Sequence, residues 1–257
     1  MGWHISTVSW LNTKMKRIDF LNCPMDVFTM DETVNLIADR VENKQFTQHT
    51  VVNVAKIVNM GKDPTLASSV RTCDIINIDG MGVVLGARLL GHNIPERVAG
   101  IDLFHRLLQM SAERAYPVFL LGAQEDVVAE AHRRVCEINP KLNVAEHHHG
   151  YFWDDEEAVV RKIQESGARL LFVAITSPKK ENFINKWGEQ LGVDFVMGVG
   201  GTFDVVAGKV KRAPKWMQEL GLEWLYRVIQ EPGRMWKRYL VTNSQFAWML
   251  LKAKFFG

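Results

Sequence analysis

The sequence predicts an α/β protein: a Rossmann-like, doubly wound, mainly parallel sheet followed by a C-terminal appendage that is helical, basic and aromatic. Three observations carry this. Six short β-rich runs alternate with segments of helical periodicity, as strands joined by crossover helices do. Apolar runs such as "PVFLLG" and "LLFVAI" suit strands covered on both faces. From Lys209 onward the chain carries ten Lys or Arg against three Asp or Glu, and four of the eight tryptophans; the preceding 208 residues carry 21 basic and 26 acidic side chains.

The elements follow in order. "RIDFLNCP" (17–24) reads as an early strand at an antiparallel edge. The parallel strands are "HTVVNV" (49–54), "DIINID" (74–79), "YPVFLLG" (116–122), "NVAEHHHG" (143–150), "RLLFVAI" (169–175) and "VDFVMGV" (193–199). Helical patterns lie between them, at 31–43, 82–91, 100–114, 124–138, 154–166 and 178–191. In the tail, Pro214 sits where a helix starts, and Met217, Leu220, Trp224, Leu225 and Val228 recur at helical spacing. "EPG" (231–233) stops that helix, and a second one passes through "RMWKRYL" toward the apolar, lysine-bearing end "QFAWMLLKAKFFG". This divides the chain into an α/β core, 1–208, and an appendage, 209–257.

Composition excludes several classes. With 47% hydrophobic and 23% charged residues the chain reads as an ordinary globule, not a disordered one. Cys23, Cys73 and Cys136 are far apart, odd in number and without zinc spacing, so they read as small core hydrophobes in a reducing compartment. No run of about 18 apolar residues is present. The first residues are too polar for a secretory signal, and "MGWHIS" is a short, weak match to a myristoylation pattern. No nucleic-acid-binding motif accompanies the basic tail.

In an open α/β sheet, ligands sit beyond the carboxyl ends of the strands. Asn53, Asp79, Gly122, Tyr151, Thr176, Ser177, Gly200 and Gly201 fall there. Each has a plainer explanation as a turn or cap residue, and Ser177 reads as a cap for a helix whose first residue is Pro178. Asp79 is the best candidate base, since a carboxylate within reach takes a proton from a sugar hydroxyl. Pattern alone favours an N-cap for the helix near Met81. Arg97 reads as an anion clamp or as a solvated surface charge. "VMGVGGTFDVVAGK" (196–209) is a strand running into a glycine-rich turn whose amides suit phosphate. It is neither a Walker loop nor GxGxxG, so a nicotinamide-dependent oxidoreductase has no fingerprint here. Adjacent histidines in "EHHHG" alternate faces of a strand and make a poor metal site. No DxD-type acidic pair is present, so a transferase needs cations to offset leaving-group charge. Arg227, with Arg234 and Arg238 at i, i+4 spacing, supplies them.

Taken together, "NVAKIVN", "INIDGMGVVLGARLLG", "PERVAGIDL", "VFLLGA", "SPKKENFI", "VGGTFDVVAG" and "RAPKWMQELGLEWLYRVIQEPGRMWKRYL" resemble the WecG/TagA/CpsF glycosyltransferase family (glycosyltransferase family 26), over residues 18 to 246. The resemblance implies an inverting, metal-independent enzyme without a cofactor. It would move a hexosyl group, N-acetylmannosamine-type by preference, from a UDP-sugar to an undecaprenyl-diphosphate-linked sugar in cell-surface polysaccharide or teichoic-acid synthesis. It implies a base at Asp79, a motif arginine near the acceptor or sugar at Arg97, and a pocket asparagine at Asn53. Tyr151 and Asp204 would lie near the uracil and ribose. Arg227 and Arg234, with either Lys237 or Arg238, would fold over the site and neutralise the diphosphate. The tail would dock the protein on the inner face of the cell membrane, from the cytoplasm and as a monomer, with a homo-oligomer off the membrane. Two positions depart from the family pattern. Val51 stands where threonine is common, and Lys180 replaces a glutamine near the nucleotide, which bears on the donor sugar. A glucosyl or other hexosyl transferase of capsule or exopolysaccharide assembly, and a non-catalytic nucleotide-sugar-binding scaffold, are the alternatives.

Overall fold

The computed structural model describes residues 16–256; the "MGWHIS" pattern lies outside them. Its centre is a six-stranded sheet of β3 (Thr47–Val52), β4 (Ile75–Ile78), β5 (Val118–Gly122), β6 (Val144–His148), β7 (Leu170–Ala174) and β8 (Phe195–Gly198). The spatial order is β4-β3-β8-β7-β5-β6, and every pairing is parallel. The sheet is covered on both faces, as the continuous apolar runs require. Successive residues of β5 serve opposite cores: Val118 and Leu120 join one cluster, Phe119 and Leu121 another.

α1 (Met30–Glu42), α5 (Gly100–Arg114) and α6 (Glu125–Ile138) supply the first core. α1 starts at a capping box in which Thr29 and Glu32 satisfy each other's backbone amides. The opposite face is covered by α2 (Val54–Met60), α3 (Pro64–Arg71) and α4 (Met81–Leu89) near β4, and by α7 (Glu156–Glu165) and α8 (Lys179–Trp187) near β7.

β1 (Arg17–Phe20) and β2 (Cys23–Asp26) are antiparallel, but they form their own two-stranded sheet and are not an edge of the main one. Leu21 and Asn22 both take positive φ, 52° and 61°, which closes a two-residue hairpin with strand-like twist. The outer edge of β4 is met by a side chain instead of a strand: Asp26 Oδ2 accepts the Ile76 amide at 2.8 Å, and Arg17 clamps that carboxylate.

The tail departs from the single helix expected between Pro214 and "EPG". It forms α10 (Lys215–Glu219) and α11 (Glu223–Gln230), because Gly221 between them takes φ 72°. Only glycine fits there: a Cβ would lie 2.5 Å from Met81 Cγ. After a short α9 (Thr202–Val206), these helices lead to α12 (Pro232–Phe256), one continuous helix through the apolar block. α12 runs along α2 and buries Phe246 in the core around Phe20 and Met25. No helix among the described residues is long and apolar enough to cross a membrane.

Candidate active site

A pocket of about 410 Å³ opens at the carboxyl ends of β4, β3, β8 and β7. Of the residues singled out from sequence, Asn53, Asp79, Lys180, Gly200, Gly201, Arg227 and Arg238 line it, as do Val51, Thr176 and Ser177.

Asp79 follows β4 directly, and its amide donates to the Val52 carbonyl at 2.9 Å, extending the ladder by one residue. It does not cap α4: Gly80 is that N-cap, with no side-chain hydrogen bond. Instead Asp79 Oδ1 accepts the amide of Gly100, the first residue of α5, at 3.3 Å. Burial pushes the Asp79 carboxyl above the usual aspartate range, and nearby Glu223 pushes the same way, against Arg97, the Gly100 amide and Arg227. A carboxylate so tuned is a stronger proton acceptor. Asn53 combines two tasks: its Oδ1 caps α2 by accepting the Lys56 amide at 3.0 Å, and the residue lines the pocket.

Arg97 stands outside the pocket lining. Its Nη1 pairs with Glu223 Oε2 at 2.7 Å and reaches the Asp79 carbonyl at 3.5 Å. Arg212, on the pocket wall, grips Asp102 with both Nη atoms at 2.6 and 2.7 Å. Such two-pronged pairs fix orientation as well as charge.

Lys180 faces inward and not to solvent. Its ammonium pairs with the neighbouring Glu181 carboxylate, which also holds Lys56 Nζ at 2.9 Å. Lys56 donates further to Thr50 Oγ1 at 2.8 Å. All three charged residues are buried. Burial, with the Lys56 charge beside it, lowers the Lys180 pKa to about 8. Burial opposes ionisation of Glu181, but Lys56 and Lys180 together pull it down to about 2. The Lys180 stem packs over Gly198, where a Cβ would lie 2.8 Å from Lys180 Cε.

Several expectations fall elsewhere. Gly122 ends β5 with φ 127°, where a Cβ would run into the Ala174 carbonyl, so it serves strand packing. Tyr151 is 67% exposed and Asp204 lies in the first turn of α9; neither lines the pocket. The Arg234 side chain lies outside the described residues. Of the two alternatives at the third tail position, both are exposed, and Arg238 lines the pocket while Lys237 does not. Ser177 caps nothing, since the N-cap of α8 is Pro178, without a side-chain hydrogen bond. His147 meets His132 of α6, Nδ1 to Nδ1 at 3.0 Å, away from the pocket. Among the described residues no group of three or more His, Cys, Asp or Glu is placed to hold a metal.

Lys56, Lys211, Arg212 and Glu223 line the pocket without having been singled out from sequence. Their signal was present: Lys56 lies in "NVAKIVN", three residues beyond the strand-end Asn53, and Glu223 four residues before Arg227 in "GLEWLYR".

The family model described as "Glycosyl transferase WecG/TagA/CpsF family" matches residues 18–257. The chain is similar to the N-acetylglucosaminyldiphosphoundecaprenol N-acetyl-beta-D-mannosaminyltransferase of Bacillus subtilis (strain 168), at 36% identity over 191 residues, 74% of this chain and 73% of the relative. It is 37% identical over 179 residues to the protein of the same name from Bacillus spizizenii (strain ATCC 23059 / NRRL B-14472 / W23), 70% of this chain and 69% of the relative.

Proposed function

Since the chain belongs to the WecG/TagA/CpsF glycosyltransferase family and is a glycosyltransferase, we propose that it moves an N-acetylmannosamine-type hexosyl group from a UDP-sugar to an undecaprenyl-diphosphate-linked sugar. The two relatives are named for a mannosaminyl transfer to such a lipid. The observation that carries the reading for this chain is one pocket shared by a strand-end acid, Asp79, and the tail cations Arg227 and Arg238.

The mechanism is a single displacement with inversion. The acceptor hydroxyl oxygen forms a bond to the donor anomeric carbon as the bond from that carbon to the diphosphate oxygen breaks. Asp79 takes the hydroxyl proton, and UDP departs with the bonding pair. Arg227 and Arg238, with Arg234, meet the charge growing on the leaving diphosphate. Asn53 and the turn at Gly200 and Gly201 hold the donor, with Lys180 beside it. Residues 209–257 act as an appendage that completes the site and rests on the membrane. Exposed Trp216, Trp224, Trp236 and Trp248 beside basic residues support that contact.

The reading is tested with a panel of UDP-sugars and a short-chain polyprenyl-diphosphate GlcNAc acceptor. UDP-N-acetylmannosamine should give a disaccharide lipid of inverted anomeric configuration. A preference for another UDP-hexose would replace the donor, and donor binding without product from any of them would overturn the transfer.

A further inference from the structure

Glu223 is the first residue of α11 and stands on the pocket wall. Its Oε2 takes the Arg97 guanidinium at 2.7 Å, and its Oε1 lies 3.6 Å from Arg212 Nε. Both partners lead to Asp79. Arg97 reaches the Asp79 carbonyl, and Arg212 is locked on Asp102 in the first turn of α5. The amide of Gly100, which starts that turn, donates to the Asp79 carboxylate. One acidic side chain of the tail is therefore tied to both segments that frame the candidate base.

The attachment matters because α11 has no fully buried side chain: Leu225, Tyr226 and Val228 are only half-buried. Apolar packing is thin there, and a specific ionic contact carries correspondingly more of the docking. The Arg97 and Glu223 side chains are only 15% and 27% exposed, which sets this pair apart from solvated surface pairs. Arg227 follows Glu223 by one helical turn and so shares its face. Fixing Glu223 thereby fixes where Arg227 enters the pocket.

We propose that Glu223 is a positioning residue of the transfer site: its ion pairs with Arg97 and Arg212 dock α11 against the two segments that frame Asp79, so that Arg227 faces the pocket. The same carboxylate, near Asp79, favours the protonated form of that acid. This rests on the transferase reading above. The charged groups around Asp79 are Arg97 from the loop between α4 and α5, Glu223 and Arg227 from α11, and Arg212 with Asp102 where the tail meets α5. Lys211 and Arg238 stand on the same pocket wall.

Glu223→Gln removes a negative charge near Asp79 and releases Arg97, and both changes favour the ionised carboxyl. The acid limb of the kcat/KM profile should move to lower pH, while kcat/KM at its plateau falls about tenfold to a hundredfold as Arg227 loses its place. Glu223→Asp restores the charge and should return the acid limb toward its wild-type position. Amide exchange across 223–230 should be faster in Glu223→Gln than in the wild type. An unshifted acid limb in Glu223→Gln, or a Glu223→Asp profile identical to that of the glutamine variant, would overturn the electrostatic role. Unchanged exchange would overturn the docking role. A wild type that releases no UDP with acceptor would instead refute the transferase reading, and the exchange measurement then decides the docking alone.

Discussion

The Asp79 carboxylate accepts the Gly100 amide at 3.3 Å, so the acid at the end of β4 holds the start of α5 and not of its own helix, α4. This leaves it facing the pocket at a cost, because burial opposes its charge.

That cost has a sign. The folded pKa of Asp79 is raised, so its favourable contribution to stability is present below the unfolded value and is lost as pH rises through the folded one. Above the unfolded value the buried carboxyl is therefore a net cost to the fold. Asp79→Asn is neutral and keeps an oxygen for the Gly100 amide. It should melt at or above the wild-type temperature at neutral pH, with the difference vanishing as pH falls below about 4, where the wild-type carboxyl is protonated in the unfolded chain as well as in the fold. A clearly lower melting temperature at neutral pH would refute this.

Gly221→Ala should be costly. A side chain at φ 72° adds about 1–2 kcal/mol of strain, and the Cβ would overlap Met81. Scanning calorimetry should show a fall of about 2–8 °C, accompanied by lost turnover as α11 shifts.

Glu181 compensates two buried ammonium groups. Glu181→Gln leaves Lys56 and Lys180 without a counter-charge and should cost about 3–5 kcal/mol in urea unfolding at neutral pH. Lys180→Gln should cost less, since the Lys56–Glu181 pair survives. Because Glu181 is held down to about 2, its contribution is present above the unfolded carboxylate value and lost as pH falls through about 2. The gap between wild type and Glu181→Gln should therefore narrow over that acid range.

Exposed Trp236 and Trp248 test the proposed membrane contact. The double variant Trp236→Glu, Trp248→Glu should lose co-sedimentation with phosphatidylglycerol vesicles while keeping its melting temperature, since both residues are exposed. Undiminished sedimentation would remove the tail from that role.

The parallel sheet was legible because β5, β7 and β8 are apolar on both faces, and the strand-end residues Asn53 and Asp79 followed from the alternation of strands with helices. What the sequence hid was mostly long-range. The local pattern at Asp79 pointed to the next helix, whereas its partner Gly100 is 21 residues away. The Arg97–Glu223 pair spans 126 residues. Lys180 carries the most solvent-seeking of charges, yet a neighbouring Glu181 allows its burial. Gly221 sat inside an unbroken helical periodicity, and only its φ of 72°, with Met81 packed where a Cβ would lie, shows why the helix breaks there.

If Asp79 takes the acceptor proton during glycosyl transfer, its loss slows the chemical step and leaves UDP binding intact. The most direct test is single-turnover release of UDP from the preferred donor in the presence of lipid acceptor, wild type against Asp79→Asn, with UDP affinity measured on both. The rate should fall about 10²–10⁴-fold with UDP affinity retained. A near-wild-type rate in Asp79→Asn would rule out Asp79 as the base.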